Sequence, residues 1–147
     1  MVAGRFMVEP SFLTAPAELG SGMGNSKKPS VLIVEDDVLV ASDLEHELTK
    51  VGFKVVGIAV SAFEAITMAK NLRPSVAIMD VRLVGERDGV DAALELFRDH
   101  NIRCVFATAH SDEKTRARAL PASPLGWLAK PYSPQAVIDA LKKALSS

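Results

Sequence analysis

Four short apolar runs punctuate the chain, Val31-Leu32-Ile33-Val34, Val76-Ala77-Ile78-Met79, Cys104-Val105-Phe106-Ala107 and Trp127-Leu128-Ala129. Continuous runs of this length read as strands covered on both faces, and the β-branched stretch Lys54 to Val60 reads as a further strand. Between them the apolar period becomes helical. Ala41, Leu44, Leu48 and Val51 recur at helical spacing with Asp43, Glu45, Glu47 and Lys50 among them, and Gly52 stands where a C-terminal cap belongs. Ala62, Ala65, Ile66, Ala69 and Leu72 form the next stripe, stopped by Pro74. Val90, Ala93, Leu94 and Phe97 mark a third helix that ends near Asn101. Glu113 to Leu120 reads as a fourth, truncated by Pro121 and Pro124. Ser133 is placed to cap a last helix, whose buried face would be Ala136, Val137, Ala140, Leu141 and Ala144.

Alternating strands and helices predict an α/β fold with a parallel sheet. Five strand–helix units are too few for an eight-stranded barrel, so an open, doubly wound (βα)5 sheet is expected. The pattern does not fix strand order. Residues 1–29 show no sustained period and mix Pro and Gly with small and polar residues. They are expected to form a flexible N-terminal leader ahead of one domain over 30–147.

Composition narrows the function classes. A chain of 147 residues suffices for one domain with its own core. Its 48% apolar and 24% charged residues are those of a globular protein. A net charge of −1 provides no basic field, so direct DNA binding is disfavoured. No apolar run approaches the roughly 20 residues of a membrane span, and no membrane insertion is expected. Pro10, Pro16 and Glu18 interrupt any secretory segment. The single Cys104 sits in a strand-like run and reads as a small buried apolar side chain. A cytoplasmic location is expected.

The chemistry gathers at the strand tips. In a parallel sheet the C-terminal ends of all strands share one edge. Glu35, Asp36 and Asp37 follow the first run, Asp80 the second, Thr108 the third and Lys130-Pro131 the fourth. Like charges crowded at one edge repel unless a cation is present. Oxygen-only donors favour Mg²⁺, which keeps several waters and takes one or two protein carboxylates. Asp37 directly precedes Val38 and reads as the N-cap of the first helix.

An acidic pair, an isolated Asp, a Thr and a Lys-Pro, each at a strand end and in that order over about Ser30 to Leu145, resemble the receiver domain of two-component response regulators. The resemblance implies the flavodoxin-like strand order 2-1-3-4-5. It makes Asp80 the phosphoacceptor, fed by a histidine kinase or histidine phosphotransfer protein in a Mg²⁺-dependent reaction. It assigns Asp36 and Asp80 as direct metal ligands, Glu35 as a ligand through water, and the backbone carbonyl of Arg82 as a further contact. Lys130 would neutralise the phosphoryl group, and Thr108 would donate a hydrogen bond to it. Trp127, three residues before Lys130, stands where receivers place an aromatic whose rotamer follows the Thr. Arg82 and His110 fall where receivers set phosphoryl lifetime, and a cis Lys130-Pro131 peptide is implied as well. His46 and His100 have no clustered partners and suggest no metal site.

Two positions depart from the pattern. Val84 replaces a common Pro in a loop that runs one residue longer than usual to Gly89, which puts loop rigidity in question. The Phe106-Ala107-Thr108 run resembles a subfamily of single-domain receivers that usually follows this Thr with Gly, where this chain has Ala109. No output segment follows Ser147, so a stand-alone receiver acting through a separate downstream protein, and not an enzyme, is expected. Three rivals remain: a non-phosphorylated interaction module, a phosphatase forming an aspartyl phosphate, and a flavin carrier. The phosphatase class needs a second Asp where Arg82 stands. A flavin phosphate would be repelled by Glu35-Asp36-Asp37.

Overall fold

The computed structural model describes residues 28–110 and 112–146. The leader expected over 1–29 lies outside them except for Lys28 and Pro29. The elements are β1 (Ser30–Val34), α1 (Val38–Lys50), β2 (Lys54–Ala59), α2 (Ala62–Leu72), β3 (Val76–Asp80), α3 (Gly89–His100), β4 (Cys104–Thr108), α4 (Glu113–Ala119), a 3₁₀ turn (Leu120–Ala122), β5 (Gly126–Ala129) and α5 (Pro134–Leu145). All strand pairs are parallel, and the five-stranded sheet runs β2-β1-β3-β4-β5. This is the doubly wound flavodoxin-like order 2-1-3-4-5. None of the described helices is long and apolar enough to cross a membrane.

The uninterrupted apolar runs have a direct cause. Leu32, Val34, Ala77, Met79, Cys104 and Phe106 enter the core layer shared with α2 and α3. Their neighbours Val31, Ile33, Val76, Ile78 and Val105 enter the opposite layer, shared with α1 and α5. Both faces are covered, so no position in β1 after Ser30, or anywhere in β3 and β4, is left half-wet. Each such Val, Leu or Ile contributes about 1.5–3 kcal/mol by leaving water. β5 differs. It is one of the two edge strands, with β2 at the other side, and its residues are half-buried or exposed.

Caps set the helix starts. Asp37 accepts from the N–H groups of Leu39 and Val40, Ser61 from Glu64, and Ser133 from Ala136, each cap being worth about 1 kcal/mol. Gly52, at φ 100°, carries the chain out of α1. Val51, counted in the α1 stripe from spacing, is instead the C-cap and exposed. The α3 stripe is also rotated: Val90, Ala92, Ala93 and Leu96 are buried, while Leu94 and Phe97 pack at the margin. α3 lies between α2 and the α4 and 3₁₀ segment, so a broader face is covered than a two-sided stripe allows. α4 stops at Ala119, and Pro121 turns the chain into the 3₁₀ segment, as the proline positions predict.

Candidate functional site

β1 delivers Glu35 to the sheet edge, where its N–H donates to the Ala59 carbonyl at 2.9 Å. The residue is 2% exposed, and its side chain accepts from the Asp37 N–H at 3.1 Å and from Lys130 Nζ at 3.0 Å. Asp80 closes β3 and is 4% exposed. Its Oδ1 accepts from the Arg82 N–H at 3.2 Å and its Oδ2 from Lys130 Nζ at 3.1 Å. Lys130 directly follows β5 and is joined to Pro131 by a cis peptide bond, and its own N–H donates to the Thr108 carbonyl at 2.9 Å. Two residues distant in sequence thus meet one ammonium.

Asp36 completes the cluster from the solvent side. Glu35, Asp36 and Asp80 each offer a carboxylate oxygen within 4.8 Å of the others. Partial burial, followed by the hydrogen bond and charge of Glu35, holds the Asp36 carboxyl above its ordinary value, against its own backbone N–H and Lys130. Burial pulls the Lys130 ammonium down, but its hydrogen bonds to Glu35 and Asp80 outweigh that and leave its pKa raised. One ammonium therefore only partly offsets three carboxylates. An all-oxygen donor set with an open, exposed side fits a hard divalent cation that retains waters.

Thr108 ends β4, buried to 4% exposure. Its hydroxyl donates to the His110 carbonyl at 3.0 Å and accepts from the His110 N–H at 3.2 Å. In this arrangement it caps its own loop. The His110 side chain is exposed and borders, with Arg82, Thr108, Asp112 and Thr115, a cleft of about 330 Å³. Trp127 is half-buried, stacked on Phe106 at 4.7 Å between ring centroids and 19° between planes. The Arg116 guanidinium also lies 4.7 Å from the indole centroid. Glu35, Asp36, Asp80, Lys130 and the Arg82 backbone thus come together, while Thr108, His110 and Trp127 line the adjoining β4–α4 side.

Three features escape the sequence reading. Tyr132 lies beside the cluster; burial first, then the Glu35 carboxylate, push its phenol up to about 12. Its signal was its place directly after Lys130-Pro131. Gly89 has its backbone pressed on Asp80, so that a Cβ there would sit 1.9 Å from the Asp80 carbonyl oxygen. Val84, in the loop of doubtful rigidity, forms a parallel bridge with Ser61 that ties this loop to the N-cap of α2. Neither contact has a local sequence signature. Cys104 behaves as expected, buried, with its thiol pushed up to about 12 by that burial.

Comparison with known proteins agrees with this geometry. The family model of the response regulator receiver domain matches residues 31–142. The chain is 37% identical over 116 residues to the transcriptional regulatory protein PdtaR of Mycobacterium tuberculosis, covering 79% of this chain but only 56% of that protein. It is 32% identical over 114 residues to the chemotaxis protein CheY of Thermotoga maritima, covering 77% of this chain and 94% of CheY. Among solved structures, the signal receiver domain of a modulated diguanylate cyclase from Desulfovibrio desulfuricans G20 superposes with a TM-score of 0.72 at 36% identity, over 82% of this chain and 100% of that one. The matched span 31–142 takes in Glu35, Asp36, Asp80, Thr108 and Lys130, and the chain belongs to the response regulator receiver domain family.

Proposed function

We propose that this chain accepts a phosphoryl group on Asp80 from a phosphohistidine, carried by a histidine kinase or a histidine phosphotransfer protein, and passes the signal to a separate protein. The observation that carries this reading is the Asp80 carboxylate itself, buried yet aimed at the sheet edge, held by the Arg82 N–H and Lys130 beside two further carboxylates. An interaction module with no phosphorylation would have no use for so costly a buried cluster.

In the transfer, the Asp80 oxygen attacks phosphorus as the bond to the donor imidazole nitrogen breaks, and that nitrogen keeps the electron pair and takes a proton. Asp36, Asp80, Glu35 and the Arg82 carbonyl would hold Mg²⁺, which would supply charge neutralisation for the transferred group. Lys130, already 3.1 Å from Asp80 Oδ2, moves its hydrogen bond to the new phosphoryl oxygens. Thr108 exchanges its bond to the His110 carbonyl for one to the phosphoryl group and draws its loop inward. Trp127 follows from its seat on Phe106, and Arg82 and His110, flanking the cleft, govern attack by water. The protein acts here as acceptor and messenger, without DNA contact of its own, in keeping with its net charge of −1.

The test is incubation with acetyl phosphate, with and without Mg²⁺. One phosphoryl group per chain should appear only with the metal, and Asp80→Asn should abolish it. Full labelling of that variant, or labelling indifferent to Mg²⁺, would sink the reading.

A further inference from the structure

α4 is held to the domain by little apolar burial. Among its residues only Ala119 is buried, and the helix spans seven residues, too few to be stable alone. Its charged tether is Arg118. The guanidinium grips Asp88 with both arms, Nη2 on Oδ2 and Nη1 on Oδ1 at 3.3 Å, and Nη1 also reaches Asp91 Oδ1 at 3.3 Å. Burial pushes the Asp88 carboxyl up, but the Arg118 hydrogen bonds and the Asp91 N–H outweigh it and leave it below its ordinary value.

Those two carboxylates are also the capping box of α3. The Asp91 N–H donates to Asp88 Oδ1 and the Asp88 N–H to Asp91 Oδ2, each at 3.0 Å. The first helical residue, Gly89, donates to the Val81 carbonyl at 2.8 Å and abuts the Asp80 carbonyl. Arg118 therefore joins the segment following Thr108 to the segment directly behind Asp80. It makes this contact in the arrangement where Thr108 is turned to its own loop.

We propose that the Arg118 clamp on Asp88 and Asp91 is a latch that couples α4 to the phosphoacceptor loop and favours the resting arrangement of the β4–α4 segment. The proposal rests on Asp80 being the phosphoacceptor. A contact stronger in one of two arrangements shifts the equilibrium toward it, and its removal must tighten binding of any ligand that selects the other. Arg118 is a positioning residue, acting through α4.

The test is titration calorimetry of beryllofluoride, a phosphoryl mimic, in saturating Mg²⁺, on the full chain. Arg118→Gln should tighten binding about two- to fivefold, the size set by a partly exposed ion pair. Asp88→Asn, which keeps an N-capping side chain, should do the same, and the double variant should add nothing further. Hydrogen exchange should quicken in 113–119 of Arg118→Gln and stay unchanged in β1 and β3, which distinguishes release of α4 from general loosening. Unchanged or weaker beryllofluoride binding by folded Arg118→Gln, or additive effects in the double variant, overturns the latch alone. Failure of the wild type to bind beryllofluoride with Mg²⁺ overturns the Asp80 reading, and the latch with it.

Discussion

Gly89→Ala should damage the domain at the point where stability and function meet. An added Cβ would lie 1.9 Å from the Asp80 carbonyl oxygen, 2.8 Å from its carbon and 3.0 Å from Met79 Cγ. Ordinary contact begins near 3.5 Å, so the start of α3 must retreat by roughly 1.5 Å. The obstacle is strand backbone fixed in the sheet between β1 and β4, which cannot swing away as a side chain tip could. Overpacking of this kind costs about 1–3 kcal/mol, and loss of the Gly89 to Val81 hydrogen bond about 1 more. The relief of glycine's backbone entropy returns somewhat less than 1 kcal/mol. The net loss is about 1–3 kcal/mol, or a fall in melting temperature of roughly 4–15 °C for a domain of this size. Gly126→Ala is the control, since nothing lies within 4 Å of its Cβ position, and it should stay within about 0.5 kcal/mol of wild type. Differential scanning calorimetry reads both, and acetyl phosphate labelling of Gly89→Ala should fall in parallel as Asp80 is displaced. If Gly89→Ala melts within about 2 °C of wild type and labels normally, the close packing behind Asp80 is not what positions it.

Further outcomes follow from the charges and rings of the site. The Asp36 carboxyl is held above its ordinary value by burial and Glu35, so its charged form destabilises the metal-free fold; Asp36→Asn should raise the melting temperature in chelator and remove the extra stabilisation that Mg²⁺ gives the wild type. Asp88 is depressed, so its contribution is present above the unfolded carboxylate value near 3.9 and lost as pH falls through its lower folded value; urea titrations from pH 6 down to pH 3 should show a steeper loss for wild type than for Asp88→Asn, and equal slopes would contradict the assignment. Trp127 is the sole tryptophan, stacked on Phe106. Its emission should change when beryllofluoride binds with Mg²⁺, and Thr108→Ala should blunt that change without weakening Mg²⁺ binding; a full response in that variant would uncouple the ring from the threonine.

Much of this is legible in the sequence because β1, β3 and β4 are covered on both faces, leaving runs that none of the described helices imitates. Once those strands are drawn, Glu35, Asp36, Asp80 and Thr108 stand at their tips without further information. Asp37 and Ser133 announce their helices by position alone, and Pro121 ends α4 where it must. Strand order was not in the pattern, since right-handed crossovers permit several orders, and it came from the resemblance. The buried face of α3 is wider than its spacing predicts, because spacing reports a stripe whereas the number of neighbours around a helix sets how wide the buried face becomes. Val51 fitted the α1 period yet lies one residue past the helix. Arg118 and Asp88 are 30 residues apart, and the Gly89 contact is a backbone approach, so both exist only after folding. Trp127 shows the same limit: its spacing to Lys130 gave its place, but not the Arg116 guanidinium over its ring.

The central claim is that Asp80 carries the phosphoryl group. Acyl phosphates are reduced by borohydride, which converts the modified aspartate to homoserine and marks its position permanently. Protein labelled with acetyl phosphate and Mg²⁺, reduced, digested and sequenced by mass spectrometry should carry homoserine at position 80 and aspartate at positions 36 and 37. Homoserine at either of those positions, with position 80 unchanged, would contradict the account.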